Sequence, residues 1–167
     1  MKERPWSDNP VHLKPYILKP TPIPEGFVLC IDTREQKSLF ARVPKGLTIM
    51  SKTLVAGDYS VLGFEDCICF ERKSFDIFPY VSSEREKTLK KMKQFWSMEF
   101  VGLTIEIRES ELYQFQQHTK VHPEVTRAAL ISFQIRYGVH IYIGSRENCT
   151  RWLLDCAVKF WNVKHEA

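Results

Sequence analysis

Apolar and polar positions along this chain switch between two spacings, and the switches mark its elements. Residues 27–32, "FVLCID", form a continuous apolar run closed by an acid, which predicts a buried strand. Residues 33–46 leave room only for a short helix or a loop, and "LTIMSKTL" at 47–54 predicts a second strand. Residues 59–73 predict two strands around a turn at Gly63–Asp66. Residues 75–98 change to helical spacing, with Leu89, Met92, Phe95 and Trp96 three and four positions apart. "FVGLTIEI" at 100–107 is a further strand. Residues 123–138 form a helix, with Pro123 at its start and Gly138 at its end. "VHIYIG" at 139–144 is the last strand. Residues 148–161 close the pattern as an amphipathic helix. Its stripe of Trp152, Leu153, Cys156, Ala157, Phe160 and Trp161 suits a core or a dimer interface. The sum is an α/β chain with a mixed central β-sheet flanked by helices.

Residues 1–25 stand apart. Pro5, Pro10, Pro15, Pro20, Pro22 and Pro24 exclude a helix or a central strand, so this is an extended arm. Trp6, Leu13, Tyr16, Ile17 and Leu18 imply that it packs on its own domain or on a partner. The domain proper is expected over 26–167.

Composition narrows the class without choosing a function. The 167 residues are 44% hydrophobic and 26% charged, as in a globular domain. No apolar run is long enough to span a bilayer, and the first residues lack the apolar core of a signal peptide. The expectation is a protein that is not secreted: cytoplasmic in a bacterium or phage host, nuclear in a eukaryote. Five cysteines with no C-x-x-C pair argue for a reducing compartment and against a zinc site. A net charge of +4 permits a polyanionic partner. No Gly-rich phosphate loop is present, so ATP use is not expected.

The chemistry concentrates at strand ends. Asp32 closes the first strand, Asp58 follows Gly57 just before the third, and Glu71-Arg72-Lys73 ends the fourth. Strand alternation puts Glu71 and Lys73 on one face and Arg72 on the other. Taken alone, Glu71 and Lys73 could satisfy each other as an ion pair. Likewise, Thr33-x-x-Gln36 fits a helix capping box and "AGDY" a plain turn. Taken together, Asp58 followed by Glu71-x-Lys73 has the order of a PD-(D/E)-x-K metal nuclease. Phosphodiester hydrolysis needs charge neutralised on the phosphate and a deprotonated water. Mg²⁺ supplies both and prefers carboxylate oxygens, with Mn²⁺ a substitute. Lys73 can hold the phosphate or the attacking water. Arg72, facing away, is expected to brace a carboxylate.

"IDTREQ", "LVAGDYSV" and "CFERKSFD", in this order, resemble the XPF-type nuclease domain from about residue 26 to 165. The resemblance implies a restriction-endonuclease-like fold and a Mg²⁺-dependent DNA endonuclease cutting flaps or forks. Carried over by motif, Asp32, Glu35, Asp58, Glu71, Arg72, Lys73 and Asp76 become the catalytic set, with Asp32, Asp58 and Glu71 the metal ligands. Arg34 matches the arginine of the first motif. Asp76 arrives one residue earlier than the family's E-R-K-x-x-x-D, and Thr88 or Leu89 stands where a helical Gln or Glu is usual. A homodimer through this domain is a further expectation.

DNA is the expected partner. Arg34, Arg85, Lys87, Lys90 and Lys91 would contact it, the last four along one helix, although such a run also suits an ordinary solvated face. His118 and His122 are four apart without a glutamate motif between them, and read as a loop entering a helix. Two other readings compete with the active nuclease. One is a catalytically silent DNA-binding or nuclease-partner module of the same fold. The other is an interaction module whose charges are structural.

Overall fold

The computed structural model describes residues 17–117 and 119–166. The arm up to residue 16, with Trp6, Leu13 and Tyr16, and His118 lie outside the described residues. β1 (Val28–Asp32), β2 (Thr48–Lys52), β3 (Tyr59–Val61) and β4 (Ile68–Lys73) come first. α1 (Ile77–Val81), α2 (Arg85–Phe95), β5 (Phe100–Ile105) and α3 (Glu109–Leu112) follow, then α4 (Pro123–Tyr137), β6 (Val139–Ile143) and α5 (Arg146–His165). The strands make one sheet in the order β2-β1-β3-β4-β5-β6. β1 with β3 and β3 with β4 are antiparallel; the other neighbours are parallel. The expected mixed sheet with flanking helices is therefore present.

Strand alternation divides the core between the two faces. Cys69, Leu103 and Ile105 point to one side, where they pack with Ile77, Tyr80, Met92 and Phe133 of α1, α2 and α4. Ile68 and Phe70 point to the other, against Leu153, Ala157 and Val158 of α5. The α5 stripe thus belongs largely to the core: Trp152 meets Phe70 edge-on and stacks on Tyr142. On α4, by contrast, Ile131 and Ile135 remain exposed. The described part of the arm has no regular structure and lies along α5. Thr21 hydroxyl donates to Asp155, and Arg151 donates to the carbonyls of Leu18 and Lys19.

Two local expectations change. The helix expected over 75–98 is two helices, because the chain leaves α1 at Val81 and turns at Ser82–Glu84 before α2 begins at Arg85. The capping box at Thr33 does not form, since 33–46 holds turns and no helix. On α4, both ends follow the sequence. The His122 ring nitrogen accepts the Glu124 N–H, and Gly138 closes the helix at φ 64°.

Candidate active site

The site lies at the carboxyl end of β4, on the face covered by α1 and α2. Gly57 fixes its geometry. At φ 75° it turns the chain so that Asp58 N–H donates to the Phe70 carbonyl at 2.7 Å, while Asp32 N–H donates to the Asp58 carbonyl at 2.8 Å. Asp58 is thereby held between β1 and β4. A Cβ at Gly57 would stand 2.9 Å from both the Phe70 carbonyl oxygen and the Cys69 Cβ. Gly57→Ala is therefore expected to cost about 2 kcal/mol or more, from left-handed strain and the clash with backbone. Urea denaturation checks this, and an unchanged midpoint would show that the backbone here yields without cost.

Asp58 and Glu71 lie close enough for their charges to act on each other. Asp58 Oδ2 accepts the Arg72 N–H at 2.7 Å. Burial first, and the Glu71 charge second, push the Asp58 carboxyl up to about 6. Glu71 is only 1% exposed. Lys73 Nζ lies 2.8 Å from its Oε1 and Lys91 Nζ 2.5 Å from its Oε2. Each buried Glu71 oxygen is thus faced by one ammonium group, and no other side chain or backbone N–H among the described residues donates to it. Burial is the largest single influence on Lys73 and would lower it, but the charge and hydrogen bond of Glu71, with the charges of Asp58 and Asp76, together hold the ammonium above its ordinary value. Its Nζ also lies 3.6 Å from Asp76 and 4.8 Å from the centre of the Tyr80 ring.

The other predicted residues have different surroundings. Asp32 Oδ1 accepts from Arg34 N and Nε at 2.8 and 2.7 Å, and Oδ2 from Arg34 Nη2 and Leu54 N at 2.9 and 2.7 Å. All four acceptor positions of this carboxylate are filled. The Arg34 guanidinium holds its carboxyl down at about 2. The expected third metal ligand is thus committed to ordering Arg34, which stays 70% exposed. Glu35 accepts the Lys37 N–H, and its charge acts on Arg72 and Tyr59, on the α5 side of the sheet. Asp76 stands at the start of α1, accepts the Ser74 N–H and flanks Lys73 rather than Asp58.

Arg72 projects to the opposite face, as alternation requires. Its Nε and Nη2 lie 3.1 and 2.7 Å from Glu106 Oε2. Arg146 Nη1 reaches the same carboxylate at 3.2 Å, and its Nη2 binds the carbonyls of Lys37 and Ser38. Glu106 and Arg146 were not identified from sequence as part of the site. They tie β4, β5, α5 and the 33–46 loop together directly behind it. The only sequence signal was the expectation that Arg72 needed a carboxylate partner.

In front, a groove of ≈ 380 Å³ is lined by Asp32, Arg34, Gly57 and Asp58 and, from α2, by Lys87, Lys90, Lys91 and Gln94. The structure therefore brings these three lysines to the acids. Arg85 begins α2, is exposed and does not line the groove.

Among the described residues, no three acidic, histidine or cysteine side chains form a metal cage. What is present is a half-buried Asp58 that lines the groove, beside a buried Glu71 whose two oxygens are faced by the Lys73 and Lys91 ammonium groups. That suits a hard cation such as Mg²⁺, which keeps several waters and takes one or two carboxylates plus substrate phosphate.

Comparison with known proteins places the domain that carries this site. Residues 31–156 match the ERCC4 domain. XPF from Aeropyrum pernix has a similar structure, with TM-score 0.59 and 20% identity over 80% of this chain and 60% of that chain. The same protein in complex with DNA gives TM-score 0.58 and 19% identity, over 82% and 66%. At such identity the likeness is one of fold, and this chain spans less than two thirds of either. No curated protein matches the sequence itself.

Proposed function

The chain belongs to the ERCC4 domain family, and we propose that it is a metal-dependent DNA endonuclease acting on branched DNA such as flaps and forks. The observation that carries this reading is the pair Asp58 and Glu71. They come from different segments and their charges act on each other; Glu71 is buried, and Asp58, half-buried, lines a groove walled by α2 lysines. Two neighbouring carboxylates at this depth call for compensating cations; Lys73 and Lys91 face Glu71, and a divalent ion would take that part in the reaction. The DNA complex of Aeropyrum pernix XPF supports DNA as the substrate class.

In this reading Asp58 and Glu71 hold Mg²⁺ or Mn²⁺. When bound there, the ion neutralises phosphate charge and makes a water nucleophilic at neutral pH. Lys73, fixed by Glu71, Asp76 and Tyr80, directs its charge to the reacting phosphate. Arg72 contributes through its backbone: its N–H orients Asp58 while its side chain anchors β4 to Glu106. Arg34, Lys87 and Lys90 follow the phosphate backbone along the groove.

The test uses labelled flap, fork, duplex and single-stranded DNA with Mg²⁺, Mn²⁺ or chelator. Metal-dependent cleavage favouring the branched substrates is expected. Binding without cleavage would support the silent partner-module reading instead. Neither binding nor cleavage would defeat both.

A further inference from the structure

Lys91 stands between the groove and Glu71. It lines the groove beside Asp58, yet its Nζ lies 2.5 Å from Glu71 Oε2. Glu71, 1% exposed, does not itself reach the groove wall. Anything entering from solvent to take Glu71 Oε2 meets the Lys91 ammonium first.

The charges balance as they stand. Asp58 and Glu71, when ionised, carry two negative charges, and Lys73 and Lys91 carry two positive ones. A divalent cation would sit about 2.1 Å from the oxygen it binds. The ammonium already contacts that oxygen, and two cations on one poorly hydrated atom repel strongly. One lysine must then give way. Lys73 is 16% exposed and held by Glu71, Asp76 and the Tyr80 ring. Lys91 is 33% exposed, and Glu71 is its one ion-pair partner among the described residues. Its flexible stem leaves α2 on the same side as Lys87 and Lys90.

We infer that Lys91 is the resident counter-ion of the metal-free site, displaced from Glu71 when a divalent cation binds. The inference rests on the metal-site reading above, because it requires a cation at Glu71. It gives Lys91 two positions: on Glu71 when the metal is absent, and in the groove, facing phosphate, when it is present. Metal uptake would thereby add a positive charge to the surface that meets DNA.

The test is a Mn²⁺ titration without DNA, following free Mn²⁺ by electron paramagnetic resonance. Wild type, Lys91→Met, Lys91→Arg and Asp58→Asn are compared, with circular dichroism to verify folding. Lys91→Met is expected to bind Mn²⁺ about five- to tenfold more tightly, the size of one partly exposed ion pair. Lys91→Arg, which keeps the charge, is expected to bind like wild type. Metal-free Lys91→Met should also melt at a lower temperature than wild type, with saturating Mn²⁺ closing the gap. If wild type binds Mn²⁺ through Asp58 but Lys91→Met binds equally or more weakly, the inference fails and the metal site stands. If neither wild type nor Lys91→Met binds Mn²⁺, the metal-site reading fails and takes the inference with it.

Discussion

Asp58→Asn is expected to lower metal-dependent DNA cleavage by about 10³-fold and, in chelator, to make the protein harder to unfold at neutral pH. The second half follows from burial. The Asp58 carboxyl is pushed up from 3.8 to about 6, by burial first and by the Glu71 charge second. Below pH about 4 the group is protonated in both folded and unfolded chains, and its burial carries no charge penalty. As pH rises from about 4 to 6 the unfolded chain ionises first, so the folded state loses stability, and above about 6 that loss persists. Asparagine stays neutral throughout, and its Oδ1 can still accept the Arg72 N–H that Asp58 accepts now. Its advantage should be absent at pH 3.5 and reach about 2 kcal/mol at pH 7.5. Urea unfolding at the two pH values, with cleavage measured on the same preparations, checks both halves. An asparagine variant less stable than wild type at pH 7.5 would mean that Asp58 is a structural anion. Full retained cleavage would remove it from the chemistry.

A residue whose removal stabilises the fold is hard to explain by packing. It is the expected signature of a site kept for function, where local rules are broken and compensated elsewhere. The compensation here lies behind the sheet. Arg72, Glu106 and Arg146 join two strands, a helix and a loop. Their fixed arrangement holds the β4 backbone that presents both the Arg72 N–H and Glu71.

How much of this was legible in the sequence depended on the range of the interaction. Strand positions came from apolar runs of four to eight residues, which local patterning reads well. The opposed faces of Glu71 and Arg72 followed from period two alone. The meeting of Asp58 with Glu71 followed from a hairpin short enough to force it. Asp32 looked equivalent to Asp58 because both are acids at strand ends. What separates them is Leu54 N–H, which lies 22 positions away and completes the four donors on Asp32. No local pattern encodes that contact. Lys91 was legible as a basic helical residue, but not as the partner of Glu71. That depends on how α2 is rotated on the sheet, and the turn at Ser82–Glu84 resets its phase. Glu106 and Arg146, 40 positions apart, were invisible for the same reason.

Glu71→Gln separates the two meanings of the charge cluster. The single variant is expected to lose about 10²- to 10³-fold in cleavage. It should also lose stability, by about 2–3 kcal/mol, because Lys73 is largely buried and loses its counter-charge. That combination alone cannot say whether Glu71 serves the fold or the reaction. Adding Lys91→Met can. If Lys91 faces Glu71 for charge balance, removing its ammonium from the glutamine variant relieves one of the two cations that have lost the Glu71 charge. Part of the lost stability, about 1 kcal/mol, should then return. Cleavage should not return, since neither the neutral amide nor the thioether of the double variant supplies the carboxylate that a hard divalent cation requires. Thermal unfolding and fork cleavage on the two single variants and the double variant complete the cycle. Cleavage that recovers in step with stability would mean that Glu71 acts only as a structural ion-pair partner. In that case the metal would have to be held by Asp58 without it. Stability that recovers while cleavage stays lost would place the Glu71 carboxylate in the reaction itself, with the lysines arranged around the charge that the reaction requires.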